Sequence, residues 1–305
     1  MQPLRAIMLK VASVTTFMIM VSFIKASVEH VPPGEAVFFR SFFALPIIFI
    51  WLIATKQLRT GLKTKRPVRH ALRGLLGTMG MGFGFMGLAL LSLPEVTAIG
   101  FAAPVLAVIF AAILLGETIR AFRIGTVILG LVGVLIILSP RLGSLGVNGF
   151  VGGETLGAAV VLTAATFSAL AQVTIRSLVK TEKTIAIVFY FTITSTIVSL
   201  FTIPFGWVMP TVTEAVMLVL AGLTGGIGQI LLTSSYKYAP TAVIAPFDYV
   251  AMILALVVGY FIFDEVPTFI MLVGAAVVIF AGILIIWRES RLGISRSKVR
   301  KVKAD

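Results

Sequence analysis

Between Val96 and Leu115 the chain runs for 20 residues without a formal charge. At about 1.5 Å per residue, an α-helix of that length spans the ~30 Å hydrocarbon core of a bilayer. No water reaches backbone amides there, and a helix is the only open-ended element that satisfies its own. Glu117, Arg120 and Arg123 then make a short charged turn before Ile124 to Leu138 runs back. The stretch from Leu93 to Leu138 reads as a transmembrane hairpin.

The hairpin recurs in residues 239–287. Glu117 meets Glu265 at an offset of 148, and Gly125 and Gly133 meet Gly274 and Gly282 at 149. Further back, Gly74, Gly77 and Gly80 fall on Gly222, Gly225 and Gly228 at 148, and Val37 and Phe38 fall on Val188 and Phe189 at 151. Thr16 and Phe17 meet Thr166 and Phe167 at 150. The chain reads as two copies of one unit, with boundaries at 1–144 and 145–290 and a basic tail at 291–305.

Composition points the same way. With 59% hydrophobic residues, 12% charged and a mean hydropathy of +1.09, too little polar chain remains to coat a soluble globule. The absence of cysteine excludes disulfides and thiol chemistry. Two histidines, His30 and His70, leave no histidine metal site, and neither a metal nor a cofactor is expected.

Apolar spans are expected near 6–26, 36–54, 74–93, 96–115, 122–138, 155–175, 185–204, 215–236, 241–263 and 266–287. Lys10 interrupts the first and is expected to snorkel to the interface from its end. With the N-terminus inside, 22 of the 25 Lys and Arg fall on the inner side; Lys25, Arg40 and Arg141 do not. The opposite orientation inverts that ratio, so both termini are placed in the cytoplasm of a bacterial-type inner membrane. Trp51, Trp207 and Trp287 fall at expected helix ends, as an interfacial aromatic belt requires. The net charge of +13 is accounted for by inner loops and the tail lying against anionic headgroups, and no nucleic-acid partner is expected.

Five spans per copy force the second copy to enter from the opposite face. Two units related by a pseudo-two-fold axis in the membrane plane are the arrangement of secondary transporters with a midplane site. A duplicated scaffold without transport is the other reading.

The ten-span duplication, the segment PEVTAIGFAAP with LLGE in 94–117, the AP and FIFDE of 239–265, and the arginine in VFFRSFFALP resemble the EamA type of the drug/metabolite transporter superfamily. TKRPVRHALRGLLG and APFDYVAMILALVVGYFIFDEVP resemble its branch of uptake carriers for S-adenosylmethionine and riboflavin. The resemblance implies an all-α polytopic fold of ten transmembrane helices in two inverted five-helix repeats. It also implies a central cavity lined mainly by the first, third, fourth, sixth, eighth and ninth helices.

Within that frame the residues carry their own chemistry. Pro104 and Pro246 each remove an amide donor and free the carbonyls of Gly100 and Ala242, which lipid tolerates only where the backbone faces protein or water. Gly100, Pro104 and Pro246 are therefore the candidate gating breaks, a simple kink against a neighbouring helix being the other account. Arg40 sits near the outer end of the second span, and Asp248 lies about 10 Å above the inner end of the ninth. Their depths differ by about half the bilayer. Asp248 is read as opening to the inner vestibule, where it carries a proton or contacts substrate. Arg40 is read chiefly as an anchor, with Glu35, Glu95 or a freed carbonyl as partner. Ser13, Thr16, Gln172 and Gln229, with Phe101, Phe247 and Tyr249, complete the candidate cavity, interhelical hydrogen bonding being the alternative for each polar group. Aromatic walls with few hydrogen-bonding groups suit a flat, mostly uncharged ring better than a polyanion, which needs clustered cations. Glu117 and Glu265 are expected to cap or pair at helix ends.

The resulting expectation is a secondary carrier of a small organic metabolite, working by alternating access with riboflavin uptake as the first substrate. S-adenosylmethionine or amino-acid movement, including export, is the alternative. No nucleophile, metal cluster or acid/base pair converges as an enzyme requires. Small-molecule substrate and membrane lipid are the expected partners, and a homodimer is left open.

Overall fold

The computed structural model describes residues 3–302 except 59, 116–120, 149–152, 180 and 239–244. The sequence-expected capping residue Glu117 and the freed carbonyl of Ala242 lie outside the described residues. In chain order the helices are α1 (Pro3–Lys25), α2 (Pro33–Phe42), α3 (Leu45–Ala54), α4 (Pro67–Leu90), α5 (Leu93–Gly100), α6 (Ala102–Leu115), α7 (Ala121–Asn148), α8 (Gly153–Leu178), α9 (Thr184–Leu200), α10 (Val212–Tyr238), α11 (Val250–Phe263) and α12 (Phe269–Val302). A 3-10 turn over Ala245–Tyr249 leads into α11. No strand occurs among the described residues.

All ten expected span positions carry helix. Leu4–Lys25, Pro33–Ala54, Leu93–Leu114, Thr155–Ile175 and Val212–Ser235 are long and apolar enough to cross a membrane, and shorter apolar stretches occupy α7, α9, α11 and α12. The remaining position is α4, whose hydropathy is diluted by its basic first turn and its glycines. Three details depart from uninterrupted spans. The second breaks between α2 and α3, the fourth breaks at Phe101, and the ninth starts as a 3-10 turn. The last helix also continues to Val302, well past the length a bilayer requires. Large apolar side chains such as Phe205, Phe261 and Ile113 stand exposed around the bundle, the surface expected where lipid is the solvent.

Packing follows the duplication. The first span of each copy pairs with the third span of the other: α1 lies on α10, and α8 lies on α4. The third span of each copy also meets the second span of the other, α4 against α9 and α10 against α2. Equivalent spans meet each other directly, as α2 with α9, α5 with α11, and α7 with α12. A two-fold exchange of the halves preserves every one of these pairs. With five spans per half, its axis lies in the membrane plane.

Where equivalent helices cross, small residues let the backbones approach. On α7 and α12 a Cβ at Gly274 would stand 2.8 Å from the carbonyl oxygen of Gly133, and one at Gly133 would stand 3.0 Å from that of Gly274. Buried Phe101, Val134, Ile137, Val161, Met252 and Val278 pack into one core cluster spanning both halves. A second joins Ile24, Val37, Phe85, Leu93, Leu218 and Ala255.

Candidate substrate site at the helix breaks

Ser92 starts α5 with a reciprocal capping box: its hydroxyl accepts from the Glu95 amide, while the Glu95 carboxylate accepts from the Ser92 amide. The helix stops at Gly100, and α6 restarts at Ala102 with Pro104 in its first turn. In the second copy Pro246 lies in the 3-10 turn that precedes α11. The two interruptions face each other. Phe101 and Tyr249, separated by the same 148 residues as Glu117 and Glu265, meet with ring centroids 5.2 Å apart at 57°. A contact between equivalent residues lies close to the pseudo-two-fold axis. The Tyr249 hydroxyl abuts Gly282 on α12, where any Cβ would collide with it. A Cβ at Gly100 would meet nothing within 4 Å, leaving open space beside the break.

Asp248 lies in the same turn, and its carboxylate is 2.6 Å from Lys10 Nζ on α1. Lys10 does not snorkel: its side chain is 3% exposed, against 42% for Asp248. The second copy delivers a carboxylate to the lysine inside the bundle, so the ammonium is neutralised without reaching the interface. One helical turn further on, Ser13 donates to the Gly228 carbonyl at 2.8 Å and joins α1 to α10. Thr16 donates to the Ala12 carbonyl of its own helix at 2.7 Å. Gln229 is buried on α10, whereas Gln172 and Phe247 are partly exposed. Among the described residues no three His, Asp or Glu side chains converge as metal ligands.

Arg40 does not join this group. It lies 3% exposed on α2, beside Gly225 and near the sulfur of Met20. Met20 is ten residues along α1 from Lys10, about 15 Å, so Arg40 and Asp248 meet α1 at separate places. Neither Glu35 nor Glu95 holds it. Glu35 accepts from the Val208 amide at 3.0 Å, and the Arg40 guanidinium carbon lies 5.5 Å from the centroid of Phe191 on α9.

The same ring carries Arg73 of α4, at 3.8 Å. Sequence counting assigned Arg73 to the inner loop; in the fold it is 5% exposed and points into the bundle. Arg40 and Phe191 are themselves equivalent in the 151 register, which puts this contact near the axis as well. An unpaired charge at mid-bilayer costs ~2.5–3.5 kcal/mol on insertion scales. A desolvated cation–π contact returns about 2 kcal/mol.

The far end of α1 is tied down by Lys25. Its ammonium donates to the carbonyls of Leu88 at 3.0 Å and Leu91 at 2.8 Å, and pairs with Glu265 at 3.0 Å. Glu265 also accepts from the Leu93 amide at 2.8 Å. Two charges thus close the end of α4, the start of α5 and the α11–α12 connection over one face. Glu265 pairs at a helix end as the sequence suggests, but its partner comes from the other copy.

A duplicated polytopic helical protein, with broken helices of its two halves meeting near a pseudo-two-fold axis, belongs to the class of membrane carriers. The chain is a member of the EamA-like transporter family, whose model matches residues 4–139 and 155–288. It is 30% identical over 257 residues to the S-adenosylmethionine uptake transporter of Rickettsia bellii, covering 84% of each chain. It is 28% identical to the pseudopaline exporter CntI of Pseudomonas aeruginosa over 90% of this chain and 93% of that one. A solved structure titled only "Crystal structure of protein" superposes with a TM-score of 0.67 at 20% identity, covering 92% of this chain and 94% of that one, and shares the fold. The protein is therefore a multi-pass membrane transporter of a small molecule.

Proposed function

We propose that this carrier takes up S-adenosylmethionine, with Phe101, Tyr249 and Asp248 forming the centre of its site. The observation that carries the reading is the pairing of an aromatic contact at the helix breaks with a half-exposed carboxylate in the same turn. A flat purine stacks on such rings, and a sulfonium cation is attracted both to aromatic faces and to a carboxylate. The names of the relatives favour this substrate over riboflavin, which the sequence put first and which gains no support from them. In this reading Gln172, Gln229 and Phe247 line the cavity, and Gly100, Pro104 and Pro246 mark the hinges. The units 1–144 and 145–290 rock against each other, the basic tail 291–305 stays outside them, and both termini face the cytoplasm.

Export is the second reading, favoured by the likeness to an exporter. Both are tested by proteoliposomes containing the purified chain, assayed for uptake and efflux of labelled S-adenosylmethionine with riboflavin, methionine and adenosine as competitors. Saturable transport that riboflavin does not inhibit supports the proposal. Transport of riboflavin in place of S-adenosylmethionine overturns it, and so does the absence of S-adenosylmethionine movement in either direction.

A further inference from the structure

We propose that Arg40 and Arg73 form a binding site for one small monoanionic group, a carboxylate or a halide, beside Phe191 near the centre of the membrane. The geometry is that of an incomplete ion cluster. Both guanidinium groups lie within 5.5 Å of one ring centroid. Both side chains are at least nine-tenths buried. Nε of Arg40 and both Nε and Nη1 of Arg73 have no hydrogen-bond partner.

Elsewhere the fold neutralises its buried cations. Lys10 has Asp248, and Lys25 has Glu265. Among the described residues no carboxylate pairs with Arg40 or Arg73. An aromatic face attracts a cation but accepts no fan of N–H donors, so Nε of Arg40 and Nε and Nη1 of Arg73 are left without an acceptor. A carboxylate answers two such forks with bidentate geometry, and a halide answers them as a point charge.

The surrounding chain is built around these two side chains. Gly77 and Gly225 are equivalent in the 148 register, and each makes room for one arginine. A Cβ at Gly77 would collide with Arg73 Nη1, and one at Gly225 would stand 3.0 Å from Arg40 Nε. Proximity to the pseudo-two-fold axis also puts the pair at the depth where alternating access exposes a site to both faces in turn.

The anion has two possible sources, the carboxylate of the transported molecule or an inorganic anion accompanying it. The first rests on the S-adenosylmethionine reading above; the second does not. The test is the melting temperature of the full chain in detergent, starting in the sodium salt of a bulky sulfonate buffer and titrating sodium chloride, acetate and nitrate at constant ionic strength. S-adenosylmethionine and its decarboxylated analogue are then titrated with and without chloride. The site predicts a saturable rise in melting temperature with chloride or acetate, and about 10- to 100-fold weaker anion binding in Arg73→Gln.

Where the substrate supplies the anion, chloride weakens S-adenosylmethionine binding and leaves the decarboxylated analogue unaffected. A chloride response without any S-adenosylmethionine binding upholds the anion site and overturns the substrate reading. Melting indifferent to all three titrated anions, together with equal binding of the two analogues, overturns the proposal. An undiminished response in Arg73→Gln does the same. The wild-type titrations decide the question even if that variant does not fold.

Discussion

The contact between Lys25 and Glu265 offers the sharpest test of how this bundle closes one of its faces. Glu265→Gln keeps the side-chain shape and an acceptor for the Leu93 amide, but removes the charge paired with Lys25. Hydrogen bonds to charged groups contribute ~1.5–3 kcal/mol. Both side chains are about 15% exposed, so water screens part of this and a loss of about 1–2 kcal/mol is the working figure. Applied to a two-state opening, that raises the open-to-closed ratio about 5- to 30-fold.

The chain contains no cysteine, so one introduced thiol reports without background. Met271 is 2% exposed and lies in the cleft beside Glu265. Labelling of Met271→Cys in detergent by a soluble maleimide should accelerate by the same factor when Glu265→Gln is added. A rate within about twofold of the parent, with an unchanged melting temperature, refutes the latch. Acceleration with a collapsed melting temperature reports general unfolding and refutes it equally.

Three other outcomes follow from particular contacts. Asp248→Asn removes the carboxylate 2.6 Å from the buried Lys10 ammonium; transport should fall at least ~10-fold and the melting temperature should drop, while Lys10→Met in the same chain restores stability but not transport. Transport unchanged in Asp248→Asn removes this pair from the mechanism. Gly282→Ala should destabilise by about 1–3 kcal/mol, because a Cβ there meets the Tyr249 hydroxyl and the ring carbon that carries it; Tyr249→Phe removes the hydroxyl but keeps that carbon, and should recover only part of the loss in thermal melts. If the second substitution recovers nothing, that collision is not the cause. Lys63→Cys, on the exposed α3–α4 connection, should react with an impermeant maleimide only after the cytoplasmic face is opened, and labelling of intact cells reverses the assigned orientation.

The broad architecture is written in the order of residues because bilayer physics leaves a chain few choices. A charge-free stretch as long as Val96–Leu115 must be helical, and a repeated motif with an odd number of spans must return inverted. Periodicity therefore gives the ten span positions, and the paired prolines mark where the fourth and ninth spans are interrupted. The 148 and 151 registers already contained the pairs Phe101 with Tyr249 and Arg40 with Phe191, but a register equates positions without saying that they touch.

Contacts between distant segments required the fold. Lys10 and Asp248 are 238 positions apart in the sequence, and nothing local tells a lysine near a helix end whether it will reach the interface or meet a carboxylate. Arg73 shares the composition of a basic inner loop with its neighbours, so charge counting placed it there. Only the approach of α2, α4 and α9 carries it to Phe191 and Arg40. Hydrophobicity and backbone hydrogen bonding act along a segment and are legible one helix at a time. The partner of a buried charge is fixed by which helices cross and at what depth, and that is a property of the assembled bundle.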